Sequence, residues 1–474
     1  MTSLGRLPRS SAATPPLEDD DLLFEILLLL PPEPSSLPRA SVVCKRWHRL
    51  ITDPHFICRF RRHHRRNPPL LGFFNTDRGR ISFQPIMEAP NRFLPERFSL
   101  QLDDEDGFKL LGCRHGLVLL LLVLAHKQKQ VLVWDPVTGD QHRIAVPTVF
   151  YMNKTRIQGA VLRAAGEVHN FQVVLVAAHE DDKQHRQVLA STYLSETGIW
   201  GNPISKPLPP EAYTGDYFTN VCMPDVLVGD SLYWPLNGNY ASSSYILEFN
   251  LERQSLAMIE LPVEEDTDLT AMRAEGGGLG FLCLSESDFS AQLWKRKTDR
   301  DGVTSWVLGR TIELDKLLSL NSKEGQYLMI IGFAEYNNVV FLAIGTDLFM
   351  VDLESLQLKK LFITNSLCHP FETVHTLPSI YVNLDMKMGS AWWLLHGKIT
   401  EEVFYLSLPL SEFNFSEGNV ILHSMFCLNP DRSFGTTLFT LVDLNAGSNP
   451  HEGMNANALF GLCSGPLSTM WKIE

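Results

Sequence analysis

Hydrophobic and polar positions fall into two textures along the chain. Over residues 17–56 the period is helical. Leu22, Leu23, Ile26, Leu27 and Leu30 form one stripe, Phe24, Leu28 and Leu29 cover the other side, and only Glu25 interrupts the apolar surface. Asp19, Asp20 and Asp21 stand at the start, where a helix N-terminus favours negative charge. A helix that is apolar all round must be buried all round. A unit of roughly 40 residues has too little interior to do that by itself. The pattern therefore predicts a small helical docking module whose core is completed by a partner protein.

From Leu70 the texture changes to short apolar runs rich in Val, Ile, Phe and Trp, separated by Gly, Asp, Asn and Pro turns. This strand–turn rhythm predicts a sandwich, barrel or propeller. A longer period decides among them. Turns of similar chemistry recur at 75–79, 135–139, 195–198, 250–253, 298–302 and 352–355. Their spacing of roughly 50 to 60 residues lies near the kelch blade length of about 50. Apolar strands enter these turns (Val131-Leu132-Val133-Trp134, Leu348-Phe349-Met350-Val351) and others leave them. Asp, Asn and Ser suit such places by bonding the turn backbone, and Gly by accepting positive φ. A closed, kelch-like ring of about six or seven blades accounts for the repeat and leaves few sheet edges exposed. Strand-like pieces continue past Thr364, and they either supply the closing blade or form a variant ending.

Composition narrows the picture. The 474 residues suffice for more than one domain, and 45% hydrophobic with 20% charged residues describes an ordinary globular protein. A formal net charge of -13 argues against a general nucleic-acid binder. Eight cysteines are scattered without a CxxC pair, as expected of free thiols in a reducing compartment. The first sixteen residues, rich in Ser, Pro and Ala, have no signal-peptide core and are expected to be disordered. Neither Leu22–Leu30 nor Leu117–Ala125 approaches the roughly 20 apolar residues of a membrane span. The expected location is cytoplasmic, nuclear or both.

The helical segment carries a family resemblance. Leu22-Leu23-Phe24-Glu25-Ile26-Leu27, Leu30-Pro31, Val43-Cys44-Lys45-Arg46-Trp47 and Asp53-Pro54, in that order, resemble an F-box. The chain departs from that pattern at its start, where Glu18-Asp19 replaces the usual Leu-Pro, and at Leu29, where a basic residue is common. The resemblance implies docking on the Skp-type adaptor of a cullin-based ubiquitin ligase. Leu22, Ile26, Leu30, Pro31, Leu37, Val43, Cys44, Trp47 and Leu50 are then the docking surface or its immediate support.

The β region resembles a plant F-box-associated domain. The similarity is carried by Cys113-Arg114-His115-Gly116-Leu117 with Trp134-Asp135-Pro136-Val137-Thr138-Gly139, by Gly229-Asp230-Ser231-Leu232-Tyr233-Trp234, and by Ile331-Gly332-Phe333-Ala334-Glu335. That family implies a β-propeller that holds a substrate protein. The expected fold class is α+β multidomain: a disordered 1–16, a helical F-box at 17–57, a basic, proline-containing linker at 58–69, an all-β propeller at 70–443 and a poorly organised tail at 444–474. The function implied is that of a non-catalytic substrate receptor in a Skp–cullin–F-box ligase, serving protein degradation. The alternatives are an F-box scaffold or regulator outside the ligase, and a propeller enzyme with carboxylates or metal ligands converging in its channel.

Other chemistry is weakly signalled. Arg59 to Arg66 is read as a solvated helix end, with a nuclear-localisation patch as the alternative. Gly276-Gly277-Gly278-Leu279-Gly280 precedes a strand rather than a helix, so it reads as a turn and not as a phosphate cradle. Cys368-His369 with His375, and His63-His64, lack the four ligands of structural zinc. The acidic clusters at 103–106 and 264–268 lack the spacing of a calcium loop. Tyr213, Tyr217, Phe218 and the stretch 234–240 could line a recognition surface, although blade packing explains such aromatics as well. No cofactor or metal is expected, no substrate-binding residue is identified, and the partners implied are the adaptor, a cullin through it, and a target protein.

Overall fold

A computed structural model describes residues 19–374 except for short loop segments (78, 103–106, 125–127, 152–155, 164–169, 181–185, 210–219, 222–224, 238–243, 264–267, 286–287, 319–327, 346 and 362–365), together with isolated strand segments between 386 and 464. Two units are described in turn.

The N-terminal unit contains α1 (Asp20–Leu28), α2 (Ser36–Ser41), α3 (Lys45–Ile51) and α4 (Pro54–His64). Asp19 caps α1, its carboxylate accepting the N–H groups of Asp21 and Leu22 at 2.9 and 3.2 Å. Asp53 serves α4 likewise through His55 and Phe56, and Pro54 fills the first helical position, where a missing N–H costs nothing. Leu23, Leu27, Leu37, Ile51, Phe56 and Phe60 form the interior. Phe24 meets Phe56 edge-on at 5.1 Å, and Arg59 lies 5.0 Å over Phe24 while pairing with Glu25. The basic stretch assigned to a linker is, through His64, the end of α4, because Phe56 and Phe60 give that helix its own buried face.

The second unit is a six-bladed β-propeller. Blade 1 begins with β1 (Leu70–Asp77) and β2 (Arg80–Pro85). Blade 2 is β3 (Gly107–Arg114), β4 (Leu117–Val123), β5 (Lys129–Trp134) and β6 (Gln141–Ala145). Blade 3 is β7 (Arg156–Arg163), β8 (Phe171–Glu180) and β9 (Arg186–Leu194), with β10 (Ile199–Trp200) and β11 (Ile204–Pro207) both paired to β9. Blade 4 has β12 (Asn220–Val221) and β13 (Val226–Val228) along one side of β14 (Ser231–Asn237), then β15 (Tyr245–Asn250) and β16 (Ser255–Glu260). Blade 5 is β17 (Leu269–Arg273), β18 (Leu279–Ser285), β19 (Ser290–Thr298) and β20 (Thr304–Glu313), followed by the short helix α5 (Leu314–Leu318). Blade 6 is β21 (Leu328–Ala334), β22 (Val339–Ile344), β23 (Asp347–Asp352) and β24 (Leu358–Leu361).

The last strand, β25 (His369–Glu372), returns to pair antiparallel with β1 and becomes the inner strand of blade 1. The inner strands β3, β7, β12 with β13, β17, β21 and β25 follow one another around the axis, and β25 lies against β3. The ring is thus complete at Glu372, well before residue 443. Beyond it, separate strand pairings recur, the longest joining Gly418–Cys427 to Thr436–Asp443.

Each blade is buried on both faces, which is why its strands read as unbroken apolar runs. In β4, Leu117, Leu119 and Leu121 pack toward blade 3, whereas Val118, Leu120 and Leu122 pack toward blade 1. In β1, Leu71 and Phe74 face blade 2, while Leu70 and Phe73 face blade 6. The recurring polar turns are the outermost hairpins of the six blades. Asp135 accepts the N–H of Val137, Asn250 that of Arg253, and Asp352 those of Glu354 and Ser355. Of the glycine run, 276–278 form the turn into β18, and Leu279 and Gly280 are the first two residues of that strand.

Candidate functional site

The F-box unit leaves an apolar surface uncovered. Leu22, Ile26 and Leu29 are 49%, 41% and 70% exposed, and their spacing sets them in one row along α1 and its end. Val42 and Val43, between α2 and α3, are 59% and 61% exposed. Pro31 and Cys44 are exposed; Leu30, Trp47 and Leu50 are half-buried. Leu37 is buried within the unit. The sequence reading grouped Leu22 and Ile26 with Leu23 and Leu27, but helical rotation separates them into an outer and an inner row. It also missed Leu29 and Val42. The seven-residue interval from Leu22 to Leu29, two helical turns, was the available signal for the first.

In the propeller, polar side chains converge at one end of the inner strands. Arg114, at the end of β3, is 6% exposed. Its guanidinium forks onto Glu335, just after β21, at 2.7 and 2.9 Å. It also donates to the carboxylate of Asp225, just before β13, and to the Asp225 carbonyl at 3.1 Å. Blades 2, 4 and 6 are thereby joined through one side chain. Arginine suits this role because its five donors lie in a rigid plane. Burial alone would loosen its proton, but Asp225 and Glu335 outweigh that and hold it more firmly.

The remaining blades join the same cluster. Glu372, ending β25, accepts through Oε1 the N–H groups of Tyr336 and Asn337 and the Asn337 side-chain amide, at 3.0, 2.8 and 2.8 Å. Burial pushes Glu372 up to about 7. Burial also raises Asp225 to about 6, against the opposing pull of Arg114. His115 Nδ1 accepts the Arg163 N–H at 3.2 Å, which places the ring proton on Nε2, where it meets Tyr336 Oη at 2.9 Å. Burial, with Arg65, Arg114 and Arg163 nearby, lowers the His115 pKa far enough to keep the ring neutral. Arg273 of blade 5 lies 5.6 Å over the Tyr336 ring. Gly116 has φ +76°, and a Cβ there would meet Thr373 Oγ1 at 2.6 Å. These two constraints account for the glycine that follows Arg114 and His115 at the turn.

Carboxylates therefore do converge near the axis, and Arg114, the Leu227 N–H and Asn337 occupy their oxygens. Among the described residues no group of three or more His, Cys, Asp and Glu is arranged to hold a metal ion. Cys368 and His369 are buried at the start of β25, whereas His375 and most of both acidic clusters lie outside the described residues. Tyr213, Tyr217 and Phe218 also lie outside them; Trp234 is core. No helix among the described residues is long and apolar enough to cross a membrane.

Comparison with known proteins agrees with this division. A family model for the F-box domain matches residues 19–59. No curated protein matches the chain. Among solved structures, the periplasmic gluconolactonase PpgL of Pseudomonas aeruginosa is 11% identical with a TM-score of 0.34, covering 76% of this chain and 92% of its own. The WD40 domain of SCAP from fission yeast is 10% identical with a TM-score of 0.29, covering 78% of each chain. The model described as F-box protein AT5G49610-like, beta-propeller, matches residues 109–378, more than half of the sequence, and the chain belongs to that family.

Proposed function

We propose that this chain is the substrate-recognition subunit of a Skp–cullin–F-box ubiquitin ligase. The F-box docks on the Skp-type adaptor, and the propeller holds a target protein. The observation that carries the reading is the exposed apolar surface of Leu22, Ile26, Leu29, Val42 and Val43 on a unit whose own core is already filled. Covering it would contribute on the order of 1 kcal/mol per side chain, since each is already partly shielded. The chain makes and breaks no bond in this scheme; its contribution is to bring the target near the ubiquitin-charged enzyme.

The test is co-purification of the full chain with a Skp-type adaptor, beside Ile26→Glu and Val43→Glu. Both positions are exposed, so the variants keep the wild-type unfolding profile and lose the adaptor. Adaptor binding retained by both folded variants would overturn the reading.

A further inference from the structure

The outer hairpin of blade 5 differs from those of its neighbours. The β18–β19 ladder ends at Gly280↔Lys295, but β19 and β20 continue as a pair through Arg296↔Trp306, Lys297↔Ser305 and Thr298↔Thr304. A two-stranded extension projects beyond the blade, and such ribbons are marginal until a third strand joins them. Its outer edge, β20, is ten residues long, against five in β6, six in β16 and four in β24. The regular stretch before the bulge at Gly309 is Thr304–Leu308, with Thr304, Ser305 and Leu308 exposed. Other outer edges are blunted: β2 and β11 end in Pro85 and Pro207, and β24 carries Lys359-Lys360.

The same hairpin is locally basic in a chain of formal net charge -13. Lys295, Arg296, Lys297, Arg300 and Arg310 have no carboxylate partner among the described residues. Three carboxylates lie nearby, fewer than the five cations: Asp299 accepts the N–H groups of Asp301 and Val303 within the turn, Asp301 is exposed beside it, and Glu313 pairs with Lys316.

We propose that the β20 edge binds an extended acidic segment of a partner protein by strand addition along Thr304–Leu308, the flanking cations selecting its charge. Free backbone groups on an edge strand supply affinity for an extended peptide, and complementary charge supplies selection and approach rate. The overall acidity of the chain disfavours a nucleic acid at the same place. The inference stands apart from the ligase reading, because binding at this edge needs no adaptor.

The test uses the full-length protein and a fluorescein-labelled decapeptide of alternating Val and Glu, followed by anisotropy at low salt. Saturable binding is expected. It should weaken at least about tenfold when alternate peptide nitrogens are methylated, which removes strand pairing without touching the protein. Lys297→Glu with Arg300→Glu, exposed positions at the end of β19 and in the turn after it, should weaken it by a similar factor, and by less at high salt. No saturable binding, equal affinity for the methylated peptide, or indifference to the charge reversal would overturn the proposal. Tighter binding of a DNA duplex that competes with the peptide would replace it with a nucleic-acid site.

Discussion

Asn337 holds Glu372 at one end of the propeller chain while reaching Pro68 at the other: its side-chain amide donates to Glu372 Oε1 at 2.8 Å and to the Pro68 carbonyl at 2.9 Å. Replacing it by alanine leaves two buried acceptors short of a donor. Asn337→Ala should lower stability by about 2 kcal/mol, read as a reduced urea midpoint. An unchanged midpoint would mean that strand pairing between β25 and β1 suffices to close the ring.

Arg114 is the larger liability. Removing it strands Asp225 and Glu335 without their countercharge, which typically costs about 3–5 kcal/mol. Arg114→Met should therefore unfold at markedly lower urea. Arg114→Lys should recover little, because an ammonium cannot fork onto Glu335 while also reaching Asp225. The combined change of Arg114, Asp225 and Glu335 to apolar residues should recover much of the loss, since an apolar replacement removes the desolvation penalty of all three.

Glu372 predicts a pH dependence. Its folded-state pKa of about 7 lies above the ordinary carboxylate value of 4.5, so the folded protein holds more protons than the unfolded chain between those limits. Stability from this group is greatest below about 4.5 and declines as pH rises toward 7 and beyond. Asp225, raised to about 6, acts in the same direction. Glu372→Gln keeps an acceptor for the N–H groups of Tyr336 and Asn337 without the charge. Thermal melts across pH 5–8 should show a flatter profile for the variant, and a parallel profile would contradict the assignment.

Two tryptophans share a task in different blades. Trp200 Nε1–H donates to the carbonyl of Ala145, the last residue of β6, at 2.8 Å; Trp306 does the same to Glu260, the last residue of β16, at 2.9 Å. Each fastens its own blade to the end of the preceding outer strand. Trp200→Phe and Trp306→Phe should each cost about 1 kcal/mol, and their effects should add because they share no partner. Chemical denaturation of both single variants and the double variant checks this.

The course of the propeller was largely readable because blade packing writes itself into composition. Strands buried on both faces, such as β4 with Leu117 to Val123, can be nothing but apolar, and Asp135, Asn250 and Asp352 mark hairpins by bonding their own turns. The blade number became definite only with the pairing of β1 and β25, a contact between residues about 300 positions apart that no local pattern encodes. The axial cluster was half visible. Arg114, His115 and Gly116 sit in one recognisable motif and Glu335 in another, but Asp225 and Glu372 lie in unremarkable surroundings and acquire their role from ring closure. In the F-box, apolar character was plain, while the division into inner and outer rows depended on how α1 turns against α4.

Because β25 is the inner strand of blade 1, the first blade cannot be finished when it is first made. A ribosome moving at about 5–20 residues per second needs roughly 15–60 s to travel from β1 to β25. For most of that interval Phe73 awaits Phe341, Phe74 lacks Phe371, and β1 offers a bare strand edge to whatever is near. A transcript cut short before His369 would yield five finished blades and one permanently gaping seam, a product suited to chaperone retention rather than release.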